Sequence, residues 1–331
     1  MFDLRPVGYV IGLLVSALGV TMLAPLIADL AAGNGHWHVF LESAVITVLC
    51  GVFIALSCAN GVSSGLNIRQ TFMLTTLVWF TLPLFGSLPF MIGATEANFT
   101  DAFFEAMSGL TTTGSTVLVG LDQLPDGLKL WRGILQWLGG IGIIVVAMVF
   151  LPELRVGGMQ IFKSEAFDTM GKILPRATEI SSRISVIYVG ITLSCALAYG
   201  ATGMNAFDAM VHAMTTVSTG GMANYDNSFG HFGAGAHYVA SVFMVLSALP
   251  FVRYVQLISG TAQPLFLDSQ IRAFLITVSV IVLIMSLFLW RTFHGFEEIA
   301  FRESLFNVTS IISGTGYASA DYMQWGSFAV V

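Results

Sequence analysis

Three segments of this sequence contain a threonine followed by a glycine. Their hydroxyl and carbonyl oxygen atoms are suited to binding a cation that has lost its water. The segments read FFEAMSGLTTTGSTV around Gly114, AFDAMVHAMTTVSTGGM around Gly220 and FRESLFNVTSIISGTGYAS around Gly316. Threonine hydroxyls and backbone carbonyls can replace the hydration shell of an ion. Glycine reaches positive φ without steric cost, which allows successive carbonyls to be aimed at one axis. The three segments therefore predict a cation-binding backbone in three copies.

The spacing of the segments indicates a repeated structural unit. The three glycines lie 106 and 96 residues apart, which leaves room for one membrane span, a turn and another span. Each segment contains a candidate helix of about ten residues before its Thr-Gly pair, and this helix is too short to cross a bilayer. We interpret each as a pore helix that enters the membrane and returns as extended chain, an arrangement tolerated only where protein or water satisfies the freed backbone groups. The partial negative charge at the C-terminus of each pore helix would favour a cation.

Composition places these loops in a membrane protein. Of the 331 residues, 56% are hydrophobic and 10% are charged, and the mean hydropathy is +0.82, whereas soluble domains carry about 25% charged residues. The expected fold is an all-α polytopic membrane protein, in which two extra transmembrane helices precede repeated helix–pore loop–helix units. Runs of about 20 apolar residues predict seven spans. They are 7–29, 39–59, 71–92, 133–152, 184–203, 237–258 and 273–290.

Basic residues predict the orientation of these spans. With a cytoplasmic N-terminus, nine Lys and Arg residues fall on the inner side and four on the outer side, and an inner excess is the usual arrangement. Five of the basic residues lie between Leu151 and Arg183. This segment is either a solvated cytoplasmic loop or a docking surface for a partner, and the sequence leaves both interpretations open.

Several other conspicuous residues are expected to have structural roles. His212 lies in the second pore helix without a nearby set of metal ligands, so we expect it to be hydrogen bonded. Asp101 and Asp208 stand at the starts of pore helices and are expected to act as N-caps, with attraction of cations as a second possibility. The glycines that follow Trp137 are expected to allow close helix packing. They are Gly139, Gly140 and Gly142.

The chain resembles the Trk/Ktr/HKT superfamily of potassium transporters, and within it the membrane subunits of the bacterial Trk potassium uptake system. The resemblance is carried by DAFFEAMSGLTTTGSTVLVGLD, QWLGGIGIIVV and LPELRVGGMQIF, which are similar to the family's first pore loop, following helix and cytoplasmic elbow. It implies potassium uptake across the bacterial inner membrane through a gated, potassium-channel-like pore.

The resemblance also implies site residues and partners. Potassium ions would bind in the filter, the subunit would form a homodimer in the lipid bilayer, and a cytoplasmic nucleotide-binding ring subunit would regulate it. The predicted filter residues that hold K⁺ fall into three groups. They are Thr111, Thr112, Thr113 and Gly114; Val217, Ser218, Thr219 and Gly220; and Ser313, Gly314, Thr315 and Gly316.

The expected domain organisation departs from the family's four repeats. We expect the third repeat to be incomplete and the fourth to be absent, and we favour truncation over a missing wall supplied by another chain. The expected divisions are a two-helix extension at 1–66, a first repeat at 67–160, a cytoplasmic loop at 161–183, a second repeat at 184–262 and a partial third repeat at 263–331.

Two other classes of function remain as alternatives. A cation-coupled secondary transporter would be expected to carry an intramembrane carboxylate, and by the predicted spans none lies mid-span. An intramembrane enzyme would need a buried nucleophile and base or paired metal ligands, and all six histidines fall outside the spans or near their ends. No resident cofactor and no enzymatic activity is therefore expected. The diffuse net charge of -6 gives no indication of nucleic-acid binding.

Overall fold

The fold was examined in a computed structural model that describes residues 3–61, 68–149, 177–261, 263–293 and 297–326. Within these ranges the regular structure is entirely helical, as expected for an all-α polytopic membrane protein. The chain forms two compact units, Met1–Leu138 and Gly139–Val331, and the division falls inside one long helix. Most of the predicted basic loop at 151–183 lies outside the described residues, but its last part, from Ala177, is already helical.

The first unit contains the N-terminal hairpin and the first pore helix. A glycine on each of two hairpin helices permits close contact, since a Cβ at Gly12 would overlap the Gly51 carbonyl and the Ala55 backbone. Small residues allow such approach where lipid supplies no drive for helices to associate. The helices of this unit are α1 (Arg5–Thr21), α2 (Leu23–Ala32), α3 (Trp37–Cys58), α4 (Ile68–Gly86), α5 (Leu88–Ile92), α6 (Phe99–Leu110) and the first half of α7 (Asp126–Val149).

A buried carboxylate ties the N-terminal hairpin to the first repeat. Asp29 in α2 is fully buried and accepts the Gly127 N–H at 2.7 Å, which satisfies one of the four free donors at the start of α7. His36 lies 3.0 Å from the same carboxylate through Nδ1 and accepts the Ala94 N–H at 3.0 Å through Nε2. Side chains of the hairpin thus hold the start of the helix that follows the first predicted filter segment.

The second unit repeats the arrangement of span, pore helix and returning helix. Its pore helices are α9, of 12 residues, and α14, which is longer than predicted at 17 residues. The helices are α8 (Ala177–Ala201), α9 (Ala206–Val217), α10 (Ala234–Ala248), α11 (Phe251–Ile258), α12 (Gln263–Leu267), α13 (Ser269–Phe293) and α14 (Glu297–Ser313).

Five of the seven predicted spans correspond to helices long and apolar enough to cross a membrane. They are Arg5–Ala32, Trp37–Cys58, Arg69–Ile92, Ser181–Ala201 and Ser269–Thr292. The fourth predicted span, 133–152, falls largely on α7, whose 24 residues give a length of about 36 Å.

The sixth predicted span is wrong as a single helix. Residues 237–258 fall on α10 and α11, which meet at an angle of 88°. Leu249 and Pro250 have extended backbone at the break, because proline disfavours helical geometry in the residue before it. Arg253 in α11 pairs with Asp268 at 2.6 Å, and Asp268 also accepts the Gln270 N–H at 2.8 Å. The bend is therefore linked to the start of the next spanning helix.

Candidate ion-binding loops

Asparagine, rather than aspartate, caps the N-termini of the first two pore helices. The side chain of Asn98 accepts the Asp101 N–H at 3.1 Å, and Asn205 accepts the Asp208 N–H at 2.8 Å. Each aspartate in turn accepts the NH₂ group of its asparagine, at 2.6 and 2.7 Å. The prediction of N-capping by Asp101 and Asp208 is thus wrong by three positions, since both lie in the first helical turn, where a carboxylate complements the helix dipole.

The C-terminus of the first pore helix turns directly into the first predicted filter segment. The N–H groups of residues 112–114 donate back to the carbonyls of Ser108 and Gly109 at 2.9 to 3.4 Å. Because a trans peptide is planar, its carbonyl points opposite to its N–H. The carbonyls of residues 111–113 therefore point away from the helix that anchors them, and they are available to a ligand on the far side.

The second and third pore helices end in the same way. The N–H groups of residues 219–221 donate to the carbonyls of Thr215 and Thr216 at 3.0 to 3.1 Å. In the third copy Gly314 donates to Ile311 at 3.1 Å and Gly316 to Ser310 at 3.3 Å. Three similar turns thus follow three pore helices, although in the third the Thr315 N–H donates to the Ser313 hydroxyl at 3.4 Å. We call residues 111–114, 218–221 and 313–316 the filter loops.

Backbone angles correct the register of the second filter loop. The left-handed φ values are +55° at Thr112 and +78° at Gly114, and they recur as +53° at Thr219 and +70° at Gly221. In the third loop Gly314 and Gly316 have φ of +79° and +83°. The glycine equivalent to Gly114 is therefore Gly221 and not Gly220, and Val217 is the last residue of α9 rather than part of the loop. The true spacings are 107 and 95 residues.

Two of these left-handed positions carry an unfavourable residue. A β-branched side chain at positive φ is an outlier, and such strain typically costs about 1 to 3 kcal/mol. Thr112 and Thr219 accept this strain at the site where the third loop has Gly314. Strained backbone that surrounding contacts hold in place clusters at functional sites, which makes the loops the strongest candidate site in the described chain.

Hydroxyl groups stabilise the loops through hydrogen bonds inside each loop and through hydrogen bonds from the pore helix. Thr111 and Thr113 share a hydrogen bond of 2.7 Å, and Ser313 and Thr315 share one of 2.8 Å at the equivalent positions. From the pore helices, Ser108 donates to the Ser115 carbonyl at 2.6 Å and Ser310 to the Tyr317 carbonyl at 2.7 Å. The threonine-rich composition thus serves the internal geometry of the loops.

The second and third filter loops lie side by side within the second unit. A Cβ at Gly221 would overlap the carbonyl oxygen of Thr315, so this contact requires glycine in addition to its positive φ. The Tyr317 hydroxyl, fully buried, is hydrogen bonded to the Thr215 hydroxyl of the second pore helix. Beyond the loops the Gly230 N–H donates to the Ala318 carbonyl at 3.2 Å. The two loops are therefore fixed against each other as well as against their own helices.

Buried polar groups behind the second loop form a closed network. Asp208 accepts the Asn224 amide at 2.7 Å and the Tyr225 hydroxyl at 2.8 Å. Burial alone would raise the pKa of the Asp208 carboxyl, but the hydrogen bonds from Asn224, Tyr225 and Asn205 hold the pKa below its usual value. His212 Nδ1 contacts the Asp208 carbonyl at 2.8 Å. Among the described residues no group of three or more His, Cys, Asp or Glu side chains could hold a metal, and the contacts of His212 agree with the expected hydrogen-bonded role.

Comparison with known proteins decides the family. A family model described as "Cation transport protein" (TrkH) matches residues 37–331. The chain belongs to the TrkH family. It is 41% identical over 329 residues to the Trk system potassium uptake protein TrkI of Halomonas elongata, covering 98% of this chain and 66% of that protein. It is 34% identical to TrkH of Escherichia coli K12, covering 99% of this chain and 69% of that protein.

A solved structure shares the fold of this TrkH-family chain. The crystal structure of the potassium transporter TrkH from Vibrio parahaemolyticus aligns with a TM-score of 0.89 at 33% identity, over 99% of this chain and 68% of that one. The chain spans about two thirds of the length of the curated relatives it matches.

Sequence reasoning missed several residues that build the site in this TrkH-family chain. Alignment of the three Thr-Gly pairs selects Gly220 and leaves out Gly221, which follows it directly. The pattern Asn-x-x-Asp at Asn98 and again at Asn205, 107 residues later, would have given the correct register. The buried ion pair between Glu105 and Arg132, at 2.8 Å, had no signal in a single sequence beyond two charges in apolar segments.

Proposed function

We propose that this chain is an ion-conducting membrane subunit of a potassium uptake system and that K⁺ binds to backbone carbonyls of the three filter loops. The observation that carries the proposal is the geometry of the loops, in which successive N–H groups point back to the pore helix. Within each loop the carbonyls on the opposite side then form a preorganised set of oxygen ligands. The TrkH-family relatives, named as potassium uptake proteins, support K⁺ as the ion.

The pore helices add to the attraction of a cation. Each ends at a filter loop, where the helix dipole places about half a negative elementary charge. The described loops present no carboxylate side chain within residues 111–114, 218–221 or 313–316. Neutral carbonyl ligands with helix dipoles behind them suit rapid passage, since conduction requires binding that is weak enough to release the ion.

The membrane potential can drive uptake through such a pore. At an assumed potential of about -150 mV, entry of one cation releases roughly 3.5 kcal/mol. This free energy supports accumulation of a few hundredfold. Passive conduction is therefore sufficient, and we propose a channel-like mechanism rather than coupling to protons or sodium.

We further propose the topology and partners. The excess of basic residues on one side favours a cytoplasmic N-terminus and insertion in the bacterial inner membrane. A homodimer and a cytoplasmic nucleotide-binding ring subunit follow from the family resemblance. The basic segment at 151–183 is the proposed contact for that ring.

The test is potassium flux in a bacterium that lacks its own potassium uptake, with the protein expressed from its own gene. We expect growth at low potassium, and a steady-state accumulation ratio that changes about tenfold for each 60 mV of imposed potential. Absence of uptake at confirmed membrane abundance would refute the proposal. An accumulation ratio that follows an imposed proton or sodium gradient instead would establish a coupled secondary transporter.

A further inference from the structure

One side chain near the middle of each pore helix reaches the chain that leaves the filter loop. Glu105 accepts the Val117 N–H at 3.2 Å, and His212 accepts the Asn224 N–H at 3.3 Å. In the third copy the accepting atom belongs to Asn307, and the donor is the Ser319 N–H at 3.2 Å. The accepting residue is always nine positions before the last glycine of the loop and twelve before the donor.

These three side chains, which we call the strut residues, differ in chemistry but share one function as acceptors. They are Glu105, His212 and Asn307, with exposed fractions of 0%, 0% and 1%. His212 is constrained by its neighbours: a backbone carbonyl can only accept, so Nδ1 carries the proton toward Asp208, and Nε2 is left to accept from Asn224. A carboxylate, a neutral imidazole and an amide thus make the same hydrogen bond at equivalent positions.

Other contacts orient each strut residue. Arg132 donates to Glu105 at 2.8 Å, and the Asn307 NH₂ group donates to the Glu303 carbonyl at 2.9 Å and to the Ser319 hydroxyl at 2.8 Å. His212 is held through its second nitrogen by the Asp208 carbonyl at 2.8 Å. Because the side chains are buried and bonded on two sides, the amides they accept are fixed relative to the pore helix.

Each filter loop is consequently held at both ends by one helix. Its N-terminal end is fixed by the N–H groups that donate to the last turn of the pore helix, and the chain three residues beyond its last glycine is fixed by the strut. A short backbone segment between two fixed points cannot easily relax around a smaller ion, and such rigidity bears directly on the discrimination between K⁺ and Na⁺.

We propose that Glu105, His212 and Asn307 are equivalent positioning residues that set the spacing of the filter carbonyls and thereby the selectivity for K⁺ over Na⁺. This inference rests on the proposed function. It requires only a hydrogen-bond acceptor at each position, which explains why three unlike residues occupy one site. A role in helix packing alone would be satisfied by any side chain of similar volume.

The third repeat offers the cleanest experiment. Asn307→Leu removes the acceptor at similar volume, and Asn307→His introduces the residue that serves in the second repeat. The matched control is Thr309→Val on the same helix, because the buried Thr309 hydroxyl makes no hydrogen bond in the described structure. Hydrogen exchange of the peptide containing Ser319 is measured in the purified protein, and the K⁺ to Na⁺ uptake ratio is measured in cells at matched abundance.

We expect Asn307→Leu to speed exchange of the Ser319 amide about tenfold and to lower the K⁺ to Na⁺ ratio severalfold. Asn307→His should restore much of both quantities, and Thr309→Val should change neither. Unchanged exchange in Asn307→Leu would refute the strut, and faster exchange with an unchanged ion ratio would refute its positioning role. If Asn307→Leu does not fold, His212→Asn provides a second test. The Asn224 amide should still exchange slowly in this variant. Fast exchange of that amide would refute the equivalence of His212 and Asn307.

The two readouts separate this inference from the proposed function. If the unsubstituted protein transports no potassium, the proposed function fails, whereas the exchange measurement still decides whether the strut exists.

Discussion

At the scale of single residues, two adjacent glycines in the second filter loop have different roles. Gly221 has a φ of +70° and faces the Thr315 carbonyl with no room for a Cβ. Gly220 lies outside the left-handed region, and its equivalents in the other two loops are Thr113 and Thr315. Only the second of the two glycines is therefore required by the backbone.

Substitution of the two glycines by alanine should give opposite results. Gly221→Ala combines a left-handed backbone cost of about 1 to 2 kcal/mol with displacement of the third loop, so we expect potassium selectivity to fall sharply. Gly220→Ala should retain near-normal selectivity. The measurement is the flux of K⁺ and Na⁺ at equal membrane abundance. A larger loss of selectivity in Gly220→Ala than in Gly221→Ala would show that Gly220 is the equivalent of Gly114.

This pair shows what the sequence could and could not provide at residue scale. The threonine and glycine composition was sufficient to predict where the three loops lie. The register of the second loop depended on which carbonyls accept the loop amides, and adjacent glycines at 220 and 221 leave that choice open. The role of Asn307 was also not predictable, because an asparagine in a helix with several other polar residues has no distinctive pattern until its partner at Ser319 is known.

The buried carboxylate of Asp208 predicts a pH dependence of stability. Its pKa in the folded protein lies below the unfolded value of 3.8, so the unfolded state binds more protons as the pH falls. Its contribution is therefore complete well above pH 3.8 and is lost as the pH falls below that value through the folded pKa. We expect the thermal unfolding temperature in detergent to drop over this range, and Asp208→Asn to flatten the drop.

The control for this prediction is the exposed Asp226. Asp226→Asn should leave the acid profile close to that of the parent protein. An Asp208→Asn profile that retains the full acid slope would show that the network of Asn224 and Tyr225 does not depend on the charge.

At the scale of helices, the second half of α7 packs closely behind the second filter loop. A Cβ at Gly140 would lie 2.6 Å from the Tyr188 hydroxyl and 3.0 Å from the Ser218 Cα. At Gly142, two residues further on, nothing lies within 4 Å of such a Cβ. The expectation of close packing is thus correct for Gly140 and not supported for Gly142.

Substitution of Gly140 and of Gly142 by alanine should distinguish the effect of packing on stability from the effect of helix propensity. Gly140→Ala presses on the first residue of the filter loop, and overpacking of this kind costs about 1 to 3 kcal/mol. Gly142→Ala should be neutral or slightly stabilising, since alanine is the better helix former. Thermal unfolding of the purified variants measures both. Equal destabilisation would show that the cost arises within the helix and not against Ser218.

Element boundaries followed the hydropathy pattern wherever one helix carried one span. The pattern failed at residues 237–258 because α11 is apolar enough to extend the run, although Pro250 stops the helix. Hydropathy averages over about 19 residues and does not register a single turn of extended backbone. The proline was visible in the sequence, but neither the 88° angle nor the pairing of Arg253 with Asp268 has a signal in the hydropathy pattern.

At the scale of the whole molecule, many large apolar side chains are exposed on the surface of the described chain. Large side chains such as Phe53, Leu197 and Leu283 expose 65%, 77% and 60% of their surface. Soluble monomers rarely present continuous apolar patches beyond a few hundred Å², and lipid covers such surfaces without cost. Buried polar residues such as Glu105, Asp208 and Asn307 lie behind the loops, beside an apolar core.

The break after α10 leaves this helix shorter than the hydrocarbon core of a typical bilayer. The 15 residues of α10 rise about 22 Å, which is less than the roughly 30 Å of a typical hydrocarbon core. Hydrophobic mismatch of this kind is relieved by thinning of the membrane, at a cost of fractions of a kcal/mol per Å. A change in bilayer thickness therefore changes the force on α10, the helix that follows the second filter loop. Reconstituted protein should conduct faster in short-chain than in long-chain phosphatidylcholine, and a rate independent of chain length would show that protein alone accommodates the break.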